Sequence, residues 1–259
     1  MWLVEDADTR IYMLGSMHAL PPGADWTGGK VAAAVGAADE LVLELPPAEL
    51  AEASTVFQEL APRSVPLAMK NRLPPTALAA YRKLEDGGDF GGDRLDDWAV
   101  LVLMGQRVAQ QADFSPQNGV EARLTAAFRD AGKPIGGLET ARSQLMLFET
   151  LDPAAQRAML VQGAENADHA RQDVTAMAAA WARGDVDALT KVVNEDVDRV
   201  PAARKAIITD RNHRWTNWIG RRMEKPGTVL MAVGAGHLVG PDGVPAMLAA
   251  EGFKVTRVQ

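Results

Sequence analysis

Short apolar runs alternate with longer amphipathic segments along this chain. Runs rich in leucine and β-branched residues end at glycine, proline or acidic residues, and they predict strands at residues 10–15, 40–45, 134–138, 228–233 and 253–258. Helical patterns between and around them predict helices at residues 28–38, 47–60, 75–84, 93–111, 118–131, 152–182, 185–197, 199–224 and 242–251. Strands that alternate with helices indicate right-handed βαβ units and a mostly parallel sheet.

The helical content exceeds what crossovers between strands require. We therefore expect an α/β protein with a central, mostly parallel β-sheet and an additional helical layer or cap. The expected organisation is a single domain over residues 1–259, with a mostly helical insertion at about 47–131 and a helical region at about 140–224.

Composition narrows the possible functions. A chain of 259 residues that is 47% hydrophobic can bury a sizeable core, and a net charge of −7 argues against a nucleic-acid partner. The absence of cysteine excludes disulfides, zinc–thiolate sites and thiol nucleophiles. No apolar run approaches the roughly 20 residues that a transmembrane helix needs, so we expect no membrane-spanning segment.

Two segments at opposite ends of the chain share one pattern: a strand, a glycine, two residues and a histidine. Gly15 precedes His18 in this way and Gly234 precedes His237, in a chain with only four histidines. Imidazole is the commonest metal ligand and the usual group for proton transfer near neutral pH. Glycine permits a positive φ and leaves room for a sharp turn beside an ion or substrate. The pair predicts a site built from both ends of the sequence.

Carboxylates follow two other predicted strands. Glu44 comes directly after Leu41–Leu43, and Glu139 follows residues 135–138. The carboxyl ends of parallel strands share one edge of the sheet, so we expect these carboxylates to lie near His18 and His237. A structural reading of Glu139 is equally open, because it precedes a helix whose N-terminus favours negative charge; Glu121, in the first turn of another helix, has the same alternative.

Two imidazoles and a carboxylate suit a divalent transition metal with open positions for water and substrate. Such an ion lowers the pKa of bound water to about 7 and polarises a carbonyl. Arg211 and Asn212 lie on a predicted helix beside the apolar Trp215 and Ile219, so one of the polar pair is predicted to face a cleft.

Six blocks, in order and spacing, resemble the TraB/GumN family, whose animal relatives include the Tiki proteases. They lie at residues 12–22, 38–45, 119–121, 137–141, 210–212 with Trp215, and 233–238. The resemblance implies a hydrolase fold shared with erythromycin-esterase-like and haem-binding ChaN-like proteins. Two departures stand out: Gly15-Ser16 replaces the frequent Gly-Thr but keeps the hydroxyl, and Glu121 replaces the Asp of many bacterial members.

The same resemblance assigns roles to residues. It implies that His18, Glu44 and His237 are ligands of a divalent metal (manganese, cobalt or zinc) or acid/base groups, and that Arg211 or Asn212 contacts the substrate or an oxyanion. Residues that would contact the substrate or support the ligands are Gly15, Ser16, Gly234, Glu121 and Glu139.

The expected function is metal-dependent hydrolysis by a Tiki-like peptidase that uses a metal-activated water, on a peptide or small-molecule substrate. Two alternatives remain open: a metal-independent esterase with a histidine general base, and a non-catalytic protein that binds haem or a peptide. The resemblance implies a periplasmic location with a leader removed, and a cytoplasmic location also stays open.

Overall fold

A six-stranded mixed sheet forms the centre of the computed structural model, which describes residues 1–86, 88–197 and 199–259. Its strands are β1 (Trp2–Glu5), β2 (Thr9–Ser16), β3 (Glu40–Leu43), β4 (Ile135–Gly137), β5 (Gly227–Gly234) and β6 (Val255–Arg257). They lie in the order β4-β3-β5-β2-β1-β6. The first four in this order are parallel to one another, whereas β1 is antiparallel to both β2 and β6.

Helices cover both faces of the sheet. They are α1 (Gly29–Ala37), α2 (Pro47–Leu60), α3 (Pro75–Glu85), α4 (Asp97–Gln111), α5 (Val120–Asp130), α6 (Ala141–Glu149), α7 (Pro153–Asn166), α8 (Ala170–Ala182), α9 (Val186–Val197), α10 (Pro201–Arg204), α11 (Asp210–Arg222) and α12 (Val244–Ala250). Helices α1, α5 and α8 pack on one face, around Leu41 and Leu230. Helices α11 and α12 pack on the other, around Met13 and Met231.

Strand β5 has the burial pattern that is typical of a central parallel strand. Residues Val229 to Val233 are all completely buried, since β5 lies between β3 and β2 and has helices on both faces. A near-continuous apolar run is typical of such strands, whereas alternation marks a sheet with one solvated face.

The remaining helices form a second apolar layer. Helices α3, α4 and α7 pack around Tyr81 and Leu160, and α2, α4 and α6 pack around the fully buried Trp98. The predicted α/β class, the mostly parallel centre and the added helical layer are thus confirmed.

Three details differ from the sequence-based expectation. Strand β1 has no counterpart among the predicted strands; it is only four residues long and lies between β2 and β6. The predicted helix at 152–182 is two helices, α7 and α8, and the one at 199–224 consists of α10, a π-helical turn at Lys205–Thr209 and α11. Breaks of a few residues are short compared with the window of 11–18 residues over which periodicity is counted, so periodicity alone does not reveal them. None of the described helices is both long enough and apolar enough to cross a bilayer.

Candidate active site

The ends of β3 and β4 place two carboxylates side by side. The backbone ladder continues past both strands: the N–H of Leu138 donates to the carbonyl of Leu43 at 2.9 Å, and the N–H of Glu139 donates to the carbonyl of Glu44 at 2.9 Å. Both side chains are about nineteen-twentieths buried, at 6% and 5% exposure. Two buried carboxylates that lie side by side need a buried cation between them.

Arg211, in the first turn of α11, is that cation. Its Nε donates to Glu139 Oε1 at 2.9 Å, and its Nη2 donates to Glu139 Oε2 at 2.8 Å and to Glu44 Oε2 at 2.5 Å. Its Nη1 donates to His237 Nε2 at 2.9 Å and to the carbonyl of Ile207, in the π-helical turn, at 3.3 Å. Because a guanidinium has five N–H groups, every donor of Arg211 is engaged.

The neighbours of His237 fix its tautomer. Asn212, which is fully buried, donates from Nδ2 to the carbonyl of Asp242 at 2.7 Å, so its Oδ1 faces Nδ1 of His237 at 2.7 Å as an acceptor. Nδ1 of His237 therefore carries the proton, and Nε2 accepts from Arg211. The ring also packs against Trp215, with 4.4 Å between centroids. His237 is a neutral imidazole with both nitrogens occupied.

His18 lies in the opposite environment. It follows β2, and its side chain is 68% exposed. Its Nδ1 lies 2.8 Å from Oε1 of Glu121, the same oxygen that accepts a hydrogen bond from the Ser16 hydroxyl at 2.5 Å. Nε2 of His18 has no hydrogen-bond partner among the described residues, and the other oxygen of Glu121, Oε2, is buried without one. The result is an oriented histidine whose outer nitrogen is open.

The surroundings of the two histidines shift their pKa values in opposite directions. Burial is the main cause that lowers the pKa of His237, and the charges of Arg211 and His18 lower it further; Glu44 and Asp242 act the other way, and the pKa falls to about 3. Burial also lowers the pKa of His18, but the hydrogen bond and charge of Glu121, together with the charge of Glu44, raise it to about 9. Since the ring of His18 is largely exposed, solvent weakens its burial penalty, and the carboxylates decide the direction.

Glu44 is ionised at the centre of this arrangement. Burial raises the pKa of Glu44, but Arg211, the two histidines and the N–H of Gly234 lower it to about 2. Gly234 donates to Oε1 at 2.6 Å, and Gln144 donates to Oε2 at 3.1 Å. For Glu121, burial likewise raises the pKa, and His18 and Ser16 bring it below its usual range.

The motif glycines serve close packing. Neither Gly15 nor Gly234 has a positive φ, so neither motif uses the left-handed conformation that glycine permits. The two motifs are in close contact at Gly15, since a Cβ there would lie 3.1 Å from the backbone of Ala235. A Cβ on Gly234 would lie 3.3 Å from the Glu44 oxygen that its own N–H binds.

The three predicted metal ligands do not form a metal-binding set as arranged here. Arg211 occupies Nε2 of His237 and one oxygen of Glu44, so an ion bound to all three residues requires Arg211 to move. Within the described ranges, no three histidine or carboxylate side chains are grouped to hold a metal ion. Of the three, His18 alone presents an unengaged nitrogen.

Apart from the two glycines, the structure divides the predicted site residues into two groups. Glu44, Glu139, Arg211, Asn212 and His237 form a buried cluster, which we call the arginine hub. His18 and Glu121 form a half-open pair, which we call the histidine dyad, and the Ser16 hydroxyl donates to the same Glu121 oxygen. Arg211 and Asn212, predicted to contact the substrate, are 5% and 0% exposed.

Sequence reasoning missed three residues that hold these groups. Gln144 bridges Glu44 and Glu139, and its place in the first turn of α6 was the available signal. Asp242, in the Pro-Asp-Gly segment at residues 241–243, supplies the carbonyl that accepts a hydrogen bond from Asn212. Gly119 lies so close to the His18 carbonyl that a Cβ there would be 2.2 Å from its oxygen, and no pattern in the sequence revealed that contact.

An open cleft of about 500 Å³ borders the motif bends. Gly15 and Ala235 line it together with Trp26 and Trp181, and the indole N–H of Trp181 donates to the Gly15 carbonyl at 2.8 Å. The residues that line the cleft include neither His18 nor Glu121.

Comparison with known proteins identifies the family. The sequence model of the TraB/PrgY/gumN family matches residues 1–257, essentially the whole chain. No match was found among curated proteins or solved structures. A match of this extent confirms the resemblance seen in the six sequence blocks, and the chain belongs to the TraB/PrgY/gumN family.

Proposed function

We propose that this chain is a hydrolase whose reacting centre lies at His18. The observation that carries the proposal is the histidine dyad: Nδ1 of His18 is held 2.8 Å from a buried carboxylate oxygen, and the ring is exposed. A carboxylate that binds one imidazole nitrogen fixes the tautomer and makes the other nitrogen the basic one. Catalytic histidines are oriented in this way.

The proposed reaction is addition of water to a carbonyl group. Nε2 of neutral His18 accepts a proton from water as the water oxygen bonds to the carbonyl carbon, and Glu121 stabilises the imidazolium. The same Nε2 then donates that proton to the leaving nitrogen or oxygen as the carbon–heteroatom bond breaks. Peptides as the substrate class rest on the family resemblance.

Metal dependence is a second form of the proposal. It is supported by the open Nε2 of His18 and by Oε1 of Glu44, which accepts only the N–H of Gly234. A bound manganese, cobalt or zinc ion would lower the pKa of water and polarise a carbonyl. His237 does not belong to this donor set while Arg211 occupies its Nε2.

Hydrolysis of a peptide library and an ester panel tests the proposal. We expect His18→Gln to lower turnover by roughly 10²- to 10⁴-fold, the usual size of a general-base contribution. The control is His169→Gln, which changes another exposed histidine at the start of α8. Equal turnover in the two variants would contradict the role of His18.

The metal form needs a separate measurement. The protein is purified without chelator, its metal content is determined by elemental analysis, and turnover is compared before and after chelation. Loss of turnover on chelation and its return with Mn²⁺, Co²⁺ or Zn²⁺ supports the metal form. Turnover that does not respond to chelation leaves the metal-free histidine mechanism and removes the metal form.

A further inference from the structure

Three residues of the arginine hub, Arg211, Asn212 and His237, have no free group with which to act on a substrate. All five N–H donors of Arg211 are engaged, and both polar ends of Asn212 are engaged. His237 uses one nitrogen as donor and the other as acceptor. These three residues satisfy one another and their carboxylate neighbours inside the protein.

A directed chain of hydrogen bonds runs through the hub. It begins at the carbonyl of Asp242, which accepts from Asn212, and continues through Nδ1 of His237 to Nε2, which accepts from Arg211. Each link fixes the donor and acceptor of the next, because Arg211 has only donors and the Asp242 carbonyl is only an acceptor. The chain ends at Glu44, held at 2.5 Å from Arg211 Nη2.

We infer that His237, Asn212 and Arg211 are positioning residues that hold the Glu44 carboxylate in place, and that His237 is not a metal ligand. The family resemblance implied the reverse, with His237 binding metal and Arg211 or Asn212 contacting the substrate. The inference deepens the proposed function and rests on it for the reaction at His18. The hydrogen-bond arrangement itself is measurable without any activity.

The decisive experiment is nitrogen NMR of the ¹⁵N-labelled wild-type protein. A long-range proton–nitrogen spectrum reports the tautomer of each imidazole, and His237→Gln assigns the His237 signals by their loss. We expect His237 to carry its proton on Nδ1, with Nε2 unprotonated and unmoved by one equivalent of Zn²⁺. A proton on Nε2, or a Zn²⁺-dependent shift of the Nε2 signal, would overturn the inference.

Chemical rescue separates positioning from a general loss of structure. Arg211→Ala leaves a buried space shaped for a guanidinium ion, so millimolar guanidinium is expected to restore part of the lost turnover, whereas the same ionic strength of sodium chloride is not. A folded Arg211→Ala variant that guanidinium does not rescue counts against the inference. If wild-type protein shows no hydrolysis, or His18→Gln keeps full turnover, the proposed function fails while the NMR result still decides the role of His237.

Discussion

The two Gly-x-x-His motifs look alike in sequence and end in opposite environments. Strands β2 and β5 are adjacent, but their register pairs Ser16 with Gly234, so the motifs are out of step by one residue. An offset of one residue in a strand reverses the face to which each side chain points. After β5 a 3₁₀ turn at Ala235–Leu238 places His237 in the arginine hub, whereas His18 lies beyond β2 on the open side.

The two histidines therefore share a motif but do not share a role. His237 is buried, neutral and bound on both nitrogens, while His18 is exposed and bound on one. Proton transfer and ligand binding need an imidazole nitrogen without a hydrogen-bond partner, whereas a positioning histidine uses both nitrogens in hydrogen bonds. Changes to the hub should therefore reduce stability most, and changes to the dyad should reduce turnover most.

The largest effect is expected from removal of the hub cation. Arg211→Ala leaves Glu44 and Glu139 buried without their cation, which should cost about 3–5 kcal/mol of unfolding free energy. The matched control is Arg214→Ala, since Arg214 lies 3.5 Å from Glu139 but is 52% exposed; its loss should cost at most about 1 kcal/mol. Urea unfolding of both variants measures the difference. Equal losses of unfolding free energy would show that Arg211 is not the cation that offsets the two buried carboxylates.

Substitution of the two histidines should lower the unfolding free energy to different extents. His237→Ala removes a buried ring and unpairs Arg211 and Asn212, with an expected loss of about 2–4 kcal/mol. His18→Ala removes an exposed side chain whose ion pair with Glu121 is screened by solvent, so it should cost less than His237→Ala, about 1 kcal/mol. Thermal and urea unfolding test this order. A larger loss for His18→Ala would reverse the assignment of the two environments.

Acid should destabilise the protein through the hub. The folded-state pKa values of His237 (about 3) and Glu44 (about 2) lie below their ordinary values of 6.5 and 4.5, so the unfolded chain binds more protons. The contribution of His237 is present above pH 6.5 and is lost as the pH falls toward 3; that of Glu44 is lost below about 4.5. The expected slope between about pH 6 and 5 is about 1.4 kcal/mol per pH unit from His237 alone.

Urea unfolding as a function of pH, in wild type and in His237→Gln, isolates that slope. It should disappear in the variant, and an unchanged slope would mean that His237 does not titrate as a buried group. The raised pKa of His18 has the opposite sign: it stabilises the folded state below pH 6.5, and this contribution is lost as the pH rises toward 9. Turnover that needs neutral His18 should therefore rise with pH over this range.

Smaller effects than those at Arg211 and His237 are expected at the motif glycines. Gly15→Ala sets a methyl group 3.1 Å from the backbone of Ala235 and should cost about 1–3 kcal/mol by overpacking. Gly234→Ala meets side-chain atoms at the longer distances of 3.3 and 3.5 Å, so its cost should be smaller. Gly105→Ala, in α4 with nothing within 4 Å of the added methyl, should stabilise by about 1 kcal/mol. Unfolding free energies that do not follow this order would contradict the close contact between the motifs.

Much of the fold could be predicted from local patterns. The run at Val229–Val233 is apolar at every position, which is the mark of a central strand, and the Pro-Asp-Gly turn marks the start of α12. Strand β1 was not predicted, because a four-residue strand shows too little alternation to be distinguished from a loop. Its antiparallel pairing depends on residues at both ends of the chain.

The candidate site could be predicted only as a set of residues. Sequence reasoning selected Glu44 and Glu139 because each ends a strand, and the extended β3–β4 ladder does bring them together. It could not predict that Arg211 lies between them, because the contact joins residues 72 positions apart. Nor could it distinguish His18 from His237, because the chain turns differently after the two strands: a 3₁₀ turn places His237 in the hub, whereas His18 lies exposed beyond β2.

The sequence by itself determined the family, the α/β class and the residues that gather at the carboxyl edge of the sheet, because periodicity and strand ends are local properties. Tertiary packing sets which of those residues have all their polar atoms in hydrogen bonds and which keep an atom available. Hydrogen-bond saturation depends on every neighbour at once: five acceptors engage Arg211, while one carboxylate oxygen of Glu121 holds both Ser16 and His18. The open nitrogen of His18 is a consequence of that packing, and it is where the proposed chemistry begins.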